Sequence, residues 1–248
     1  MPPRLDLFTN RQRANSFGGA AQNYDSHRPR YPELLIDEVL ASGVRRALEA
    51  GAGTGIASMQ LIERGADLLA VEPDIRMAAI AQAKGIPVEI ATFEEWDPAG
   101  RRFDLVMFAA SFHWVDPAVA LPKVRDILND GGQLALIWNR LRPTKPTRAE
   151  FESIYRDYTN VDRHITDGNG DDIVDLLTAA GFTVTQRRYP HDLHYSAQQW
   201  VDIAFTFSHQ LILDAEEAAE LRARLVERIG SDGVSVGGQA MAIVGTPT

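Results

Sequence analysis

The chain of 248 residues contains no cysteine. That excludes disulfides, a cysteine nucleophile and thiolate metal ligation. It has no apolar run approaching the ~20 residues of a membrane span, so no membrane is an expected partner. No apolar signal core stands near its start. Arg4, Arg11 and Arg13 suggest a transit peptide, but Asp6 and the lack of an amphipathic apolar face count against one. Basic residues are the minority, 25 Lys and Arg against 34 Asp and Glu, giving a net charge of −9 with no long basic run. A surface of that sign disfavours a phosphate backbone, so nucleic acid is not an expected partner either. The pair His191 and His194 lacks a third ligand of suitable spacing, and no metal is expected. The expected location is the cytoplasm.

What is present is a chain 45% apolar, ample for the core of one α/β domain over 1–248. Apolar runs at 44–48, 67–71, 87–91, 103–109 and 133–138 read as buried strands. Helical spacing lies between them, opened by Asp74 after the second and by Asp116-Pro117 after the fourth. Strands alternating with helices imply a parallel sheet with right-handed crossovers. Thr147-x-x-Glu150, Ser196-x-x-Gln199 and Asp214-x-x-Glu217 each open a helix. Last strands are expected at 181–189 and 239–244. Residues 1–20 show no period and read as a loosely docked arm. The resulting division is an N-terminal arm or lid over 1–32, a cofactor-binding core over 33–139, and helical substrate-lid segments over 140–180 and 191–230.

The first strand runs into Glu49-x-Gly51-x-Gly53-x-Gly55, followed by a helix carrying Ala57, Leu61 and Ile62. Glycine lets backbone approach a ligand closely and tolerates positive φ. The helix start beyond it offers free N–H groups. A dinucleotide fingerprint would need glycine where Ile56 stands, and Glu49 would repel a pyrophosphate. An acid there suits an ammonium or a sulfonium. A nicotinamide-dependent oxidoreductase is therefore the weaker alternative, and a non-catalytic cofactor-binding module is another.

The motif resembles the first motif of class I S-adenosylmethionine-dependent methyltransferases. Tyr24…Arg28-Pro-x-Tyr-Pro32 and Ser111-Phe-His-Trp-Val-Asp116 further resemble the methyltransferase-11-like branch, which includes trans-aconitate methyltransferases. The resemblance implies a Rossmann-like, seven-stranded, mostly parallel sheet of order 3-2-1-4-5-7-6. Strand 7 is antiparallel, helices cover both faces and a helical lid completes the fold. It implies S-adenosylmethionine as cofactor and in-line methyl transfer, here to a small molecule.

Ligands of open α/β sheets bind outside the C-terminal strand ends. On that rim Glu49, Gly51, Ala52, Gly53 and Gly55 would hold the methionine end and Glu72 the ribose. Pro73, Thr92, Phe93 and Glu94 would frame the adenine. Ala109 and Ala110 allow close approach to the reacting centre, and Tyr24 and Arg28 would fold over the cofactor. Tyr31, Phe112, Trp114 and Asn139 are the expected substrate contacts. His113 is the expected catalytic residue, as a base or as a hydrogen-bonding guide.

Overall fold

A computed structural model of the chain describes residues 8–9, 16–40, 43–158 and 170–248, the side chain of His191 excepted. In chain order its elements are α1 (Ala21–His27), α2 (Glu33–Leu40), β1 (Arg46–Ala50), α3 (Ile56–Ile62), β2 (Asp67–Val71), α4 (Ile75–Ala83), β3 (Val88–Glu89) and β4 (Phe103–Ala109). Then come α5 (Pro117–Ile127), β5 (Leu128–Lys145), α6 (Arg148–Tyr155), α7 (Asp171–Ala179), β6 (Phe182–Tyr195), α8 (Ala197–Ala204), α9 (Ala215–Ile229) and β7 (Val234–Pro247). The sheet order is β3-β2-β1-β4-β5-β7-β6. The first five strands are parallel, and β7 runs antiparallel to both of its neighbours. That is the order the resemblance implied.

Period-two alternation sorts the central strands between two cores. Leu48 and Ala50 of β1, Val106 and Phe108 of β4, and Leu134 and Leu136 of β5 join one core, with Val124 and Ile127 of α5 and Leu177 of α7. Ala47, Leu105, Met107, Ala135 and Ile137 join the other, under Leu35 and Ile36 of α2, Leu61 of α3 and Ala81 of α4. Helix starts follow the expected chemistry. The Asp74 carboxylate accepts from the Arg76 and Met77 amides, and Asp116 from that of Ala118. Reciprocal capping boxes close at Thr147, Ser196 and Asp214.

The last three strands differ from expectation. β5 continues to Lys145, β6 to Tyr195, and β7 begins at Val234. Residues 140–145 and 191–195, expected in helical segments, are therefore strand. β4 pairs with β5 only as far as Ile137, and beyond it β5 and β6 each pair with β7 alone. The three strands leave the parallel sheet as an antiparallel extension. Pro143 and Pro190 lie on its outer strands, where a missing N–H is tolerated. Phe151 and Tyr155 of α6, Trp200 and Val201 of α8, and Leu221 and Leu225 of α9 pack with Val234 and Val236 as a separate small core. Helix α7 instead buries Leu177 in the main sheet core and belongs to the sheet layer. Part of the expected loose arm is docked: Phe17–Ala20 forms a helical turn with Gly18 buried. A Cβ on Gly18 would collide with the Asp74 carboxylate and the Arg76 guanidinium. The rest of 1–15, apart from 8–9, lies outside the described residues.

Candidate active site

The turn between β1 and α3 explains its glycines. Gly51, Gly53 and Gly55 have φ of +68°, +59° and +81°, which side-chain-bearing residues rarely adopt. A Cβ on Gly51 would sit 2.6 Å from Ser111 Cβ, and one on Gly55 would strike Ile86. A Cβ on Gly53 would meet only Met77 Cε at 3.4 Å, so that position is reserved by conformation rather than packing.

Alternation also sets the polar groups. Glu49 follows Leu48 and therefore shares a sheet face with Ala47. Ala109 continues the Leu105, Met107 row of β4, and Asn139 continues the Ala135, Ile137 row of β5. All three reach the same face at the C-terminal end of the sheet. Together with Ala52, Ile56, Ala57, Ala110 and Leu141 they line a cavity that opens to solvent. Tyr24, Arg28, Pro29 and Tyr31 from the N-terminal segment complete it.

That segment is fixed from several sides. Gln60 brackets the Tyr31 backbone, accepting its N–H at 2.9 Å and donating to its carbonyl at 2.8 Å. Asp25 pairs with Lys84, whose ammonium also donates to the Thr54 carbonyl of the glycine turn at 2.9 Å. Arg28 donates through Nε to Thr206 Oγ1 at 2.7 Å and through Nη2 to the Thr206 carbonyl at 3.1 Å. Its guanidinium lies 4.9 Å from the Tyr24 ring centre and 4.1 Å from that of Phe207. Phe17 stands edge-on to both Tyr24 and Trp114.

Two buried carboxyls dominate the electrostatics of the site. Glu49 is buried and accepts a hydrogen bond from the Ser58 hydroxyl. Burial pushes its carboxyl up to about 8; the charge of Glu72 adds to the rise and Ser58 opposes it. Glu72, at the end of the adjacent strand, accepts from the Gly53 amide at 2.7 Å and the Asp74 amide at 2.9 Å. Its carboxyl is also raised by burial, against those two bonds. The Tyr31 hydroxyl is held well above its ordinary range, chiefly by burial.

Beyond β4, Ala110 has a positive φ of 55° and donates to the Ile137 carbonyl at 2.8 Å. Strained backbone of this kind collects at functional sites. Ser111 then ties the turn to β1 through the Ala50 carbonyl at 2.5 Å.

Some expected contacts fall elsewhere. Phe112 is 1% exposed and packs edge-on to Phe108, so its ring is core rather than a substrate wall. Phe93 is likewise core, beside Trp96 and Phe108, which leaves only its backbone for an adenine. Glu94 accepts from the Asp116 amide at 3.1 Å, and Thr92 bonds Glu95. Pro73 is exposed beside Ile75. His113 and Trp114 lie on the helical turn Phe112–Trp114, with ring centres 4.8 Å apart, and neither lines the cavity. Phe112 anchors the turn in the sheet core, while Trp114 packs against Phe17, which in turn meets Tyr24 of the cavity lining.

Ser58, Gln60, Leu141 and Thr206 were not singled out from sequence, and Phe207 was expected only among the aromatics of the helical lid. Gln60 did carry a signal: it sits on the stripe of Ala57 and Leu61, where a polar residue needs a reason. Thr206 gave none, and the contact of Phe207 with Arg28 left none either, because both meet Arg28 only through the tertiary fold.

A strand–glycine turn–helix with two buried carboxylates at adjacent strand ends defines the site class, and the comparisons agree. The family model described as methyltransferase domain matches residues 24–187. A protein of Mycobacterium tuberculosis named an uncharacterized methyltransferase is 34% identical, over 86% of this chain and 84% of its own length. A malonyl-[acyl-carrier protein] O-methyltransferase of Herminiimonas arsenicoxydans is 26% identical over 75% of this chain and 69% of its own. Among solved structures, a putative type II methyltransferase from Anaeromyxobacter dehalogenans superposes with a TM-score of 0.60. It shares 20% identity, over 88% of this chain and 96% of that one, and shows the shared fold. The chain belongs to the methyltransferase family and is an enzyme of methyl transfer.

Proposed function

We propose that this methyltransferase takes its methyl group from S-adenosylmethionine and passes it to a small-molecule acceptor. The observation that carries the reading is the pair Glu49 and Glu72. Both are buried at the ends of neighbouring strands, on either side of a turn that only glycines can form. Two buried acids without a cation at hand are costly, and a ligand with an ammonium and a sulfonium offsets that cost. The residues present fit such a group. Glu49 faces the cavity as the ammonium partner. Each Glu72 oxygen accepts one amide and keeps a lone pair for a ribose hydroxyl. Arg28 has Nη1 without a hydrogen bond among the described residues, available to a carboxylate. The backbone of 92–94 and exposed Pro73 are the adenine frame.

When bound, this cofactor supplies an electrophilic methyl group. The chain's part is to position. Small Ala109 and Ala110 let the acceptor approach, and the N-terminal segment under Arg28 and Tyr31 keeps water out. Holding the two reactants aligned supplies much of the rate. His113 enters as a residue near the rim rather than as a required base, because displacement at a methyl group demands none. A cytoplasmic enzyme fits a chain with neither cysteine nor a described helix long and apolar enough to cross a membrane.

Calorimetry with S-adenosylhomocysteine tests the cofactor assignment. Binding should be seen, and NAD should not bind. An S-adenosylhomocysteine titration without heat or thermal shift in folded protein would overturn it.

A further inference from the structure

Asn139 carries more than the lining of a cavity requires. Its Nδ2 donates to the Pro29 carbonyl at 3.2 Å and to the Arg30 carbonyl at 3.1 Å. Both partners are acceptors only, so the amide cannot be turned over. Its Oδ1 is thereby aimed away from the N-terminal segment. That oxygen is buried and has no hydrogen-bond partner among the described residues. Buried acceptors are almost always satisfied, and an exception calls for a reason. Here Asn139 lines the cavity beside Ala109 and Ala110. It stands two residues past Ile137, the residue paired with Ala109, on the strand next to the one that ends at the reacting centre.

We infer that Asn139 selects the methyl acceptor: its side-chain carbonyl takes a hydrogen bond from an acceptor bearing N–H or O–H, an alcohol, phenol or amine, and turns away an ionised carboxylate. This rests on the function proposed above. The charges around it point the same way. Glu49 is taken by the cofactor's ammonium, and a carboxylate placed against Asn139 Oδ1 would set its own lone pairs against those of that oxygen. Arg28, the one cation of the lining, is partly engaged by Thr206 and has the cofactor's carboxylate as its assigned partner. The Tyr31 hydroxyl can donate or accept and so discriminates nothing. The acceptor's proton is held by Asn139 Oδ1 in the bound state. As the new bond to the methyl carbon forms and the carbon–sulfur bond breaks, that proton leaves the product for solvent.

The test uses the full chain loaded with S-adenosylhomocysteine or labelled S-adenosylmethionine. The probes are a panel of alcohols, phenols and amines, each beside the carboxylate of the same skeleton. Protic members should raise the melting temperature of the loaded protein and accept label, and their carboxylate counterparts should do neither. Asn139→Leu should lower kcat/KM for the protic probes at least tenfold beyond any loss of S-adenosylhomocysteine affinity, since it removes the bonds to Pro29 and Arg30 together with Oδ1. Asn139→Gln, which keeps an amide donor for the Pro29 and Arg30 carbonyls and an acceptor oxygen, should recover part of the loss and keep S-adenosylhomocysteine affinity within about twofold. The inference falls if carboxylates are the better acceptors or if no protic probe binds. It also falls if both variants lose S-adenosylhomocysteine affinity together, for then Oδ1 serves the cofactor or Asn139 is only a strut. Failure of the wild type to bind S-adenosylhomocysteine would instead strike the cofactor assignment.

Discussion

The parallel part of the sheet and its antiparallel extension solve different problems. In the parallel part every strand ends where a ligand or a crossover begins. β1 stops after five residues because Gly51 must turn, and β2 stops at Val71 because Glu72 must bond the glycine turn. Its interior accepts buried acids and strained backbone at Ala110. β5 differs: it pairs in parallel as far as Ile137 and continues into the extension to Lys145, 18 residues in all, where β6 and β7 run 14 each. Their strands stop only where pairing stops. The core beneath them is aromatic and aliphatic, and the helices above are held by three capping boxes. One part is shaped by what it binds and the other by what it buries.

If that division holds, the two parts can be damaged separately. The largest effect is expected in the extension. Trp200 is buried against Phe151, with ring centres 5.7 Å apart, and Tyr195 lies at 6.0 Å. Trp200→Ala should cost about 3–5 kcal/mol of stability. S-adenosylhomocysteine affinity should stay near wild type where the variant is folded. A strong affinity loss in calorimetry would show that the two parts are one cooperative site.

Next come the glycines, which divide the cofactor side itself. Gly55→Val meets Ile86 in a left-handed conformation and should cost roughly 2–4 kcal/mol, from backbone strain plus overpacking. Gly53→Val meets only the flexible end of Met77 and should lose mainly the strain, about 1–2 kcal/mol, while abolishing the S-adenosylhomocysteine thermal shift. Differential scanning fluorimetry of the two variants with and without ligand separates them. Equal stability losses would contradict the packing difference.

The same contrast explains what could be read from sequence. The parallel strands could be located because burial on both faces makes short continuous apolar runs, and because Glu49, Gly51, Gly53 and Gly55 have spacing tied to one chemistry. The extension could not. Its strands carry Pro143, Pro190, Gly237 and Gly238, which read as breakers, and only one face is covered, so apolar residues thin out before the pairing ends. In the site, Glu49 is legible from the glycine motif, and Ala109, Ala110 and Asn139 from standing at or just past the ends of apolar strand runs. The rings of Phe93 and Phe112 are buried in the core, which sequence does not reveal, because a loop aromatic beside a ligand and one anchoring a core look alike there. The hold of Thr206 on Arg28 spans 178 residues and leaves no local trace.

A smaller effect is expected at Glu72. Removing one charge-assisted partner of a ribose should cost roughly 1.5–3 kcal/mol of binding, about tenfold or more in affinity. Glu72→Gln keeps one acceptor and should lose less than Glu72→Ala. Calorimetry on both checks it, and unchanged affinity in the alanine variant would reduce Glu72 to a brace for the glycine turn.

The last expectation is the pH dependence that Glu49 imposes, up to about 1.4 kcal/mol per pH unit. Its carboxyl in the folded protein is pushed up to about 8, above the ordinary 4.5, mainly by burial. The protonated form is therefore the one the fold prefers. Its contribution to stability is complete below the ordinary carboxylate range, falls as pH rises, and is lost through about 8. Glu72 is raised in the same direction and adds to the slope. A bound ammonium reverses the preference, since it pairs with the ionised acid. S-adenosylhomocysteine binding should then expel a proton, and affinity should climb with pH by up to about tenfold per unit while Glu49 starts out protonated. The ammonium itself stays charged between pH 5.5 and about 7.5, so the slope belongs to the protein. Titrations at three pH values, each in two buffers of different ionisation enthalpy, count the released proton directly. Glu49→Gln should bind more weakly and flatten the slope to what Glu72 leaves. An unchanged slope in that variant would move the titrating group elsewhere, and would unseat Glu49 as the ammonium partner on which the contrast between binding face and packing face depends.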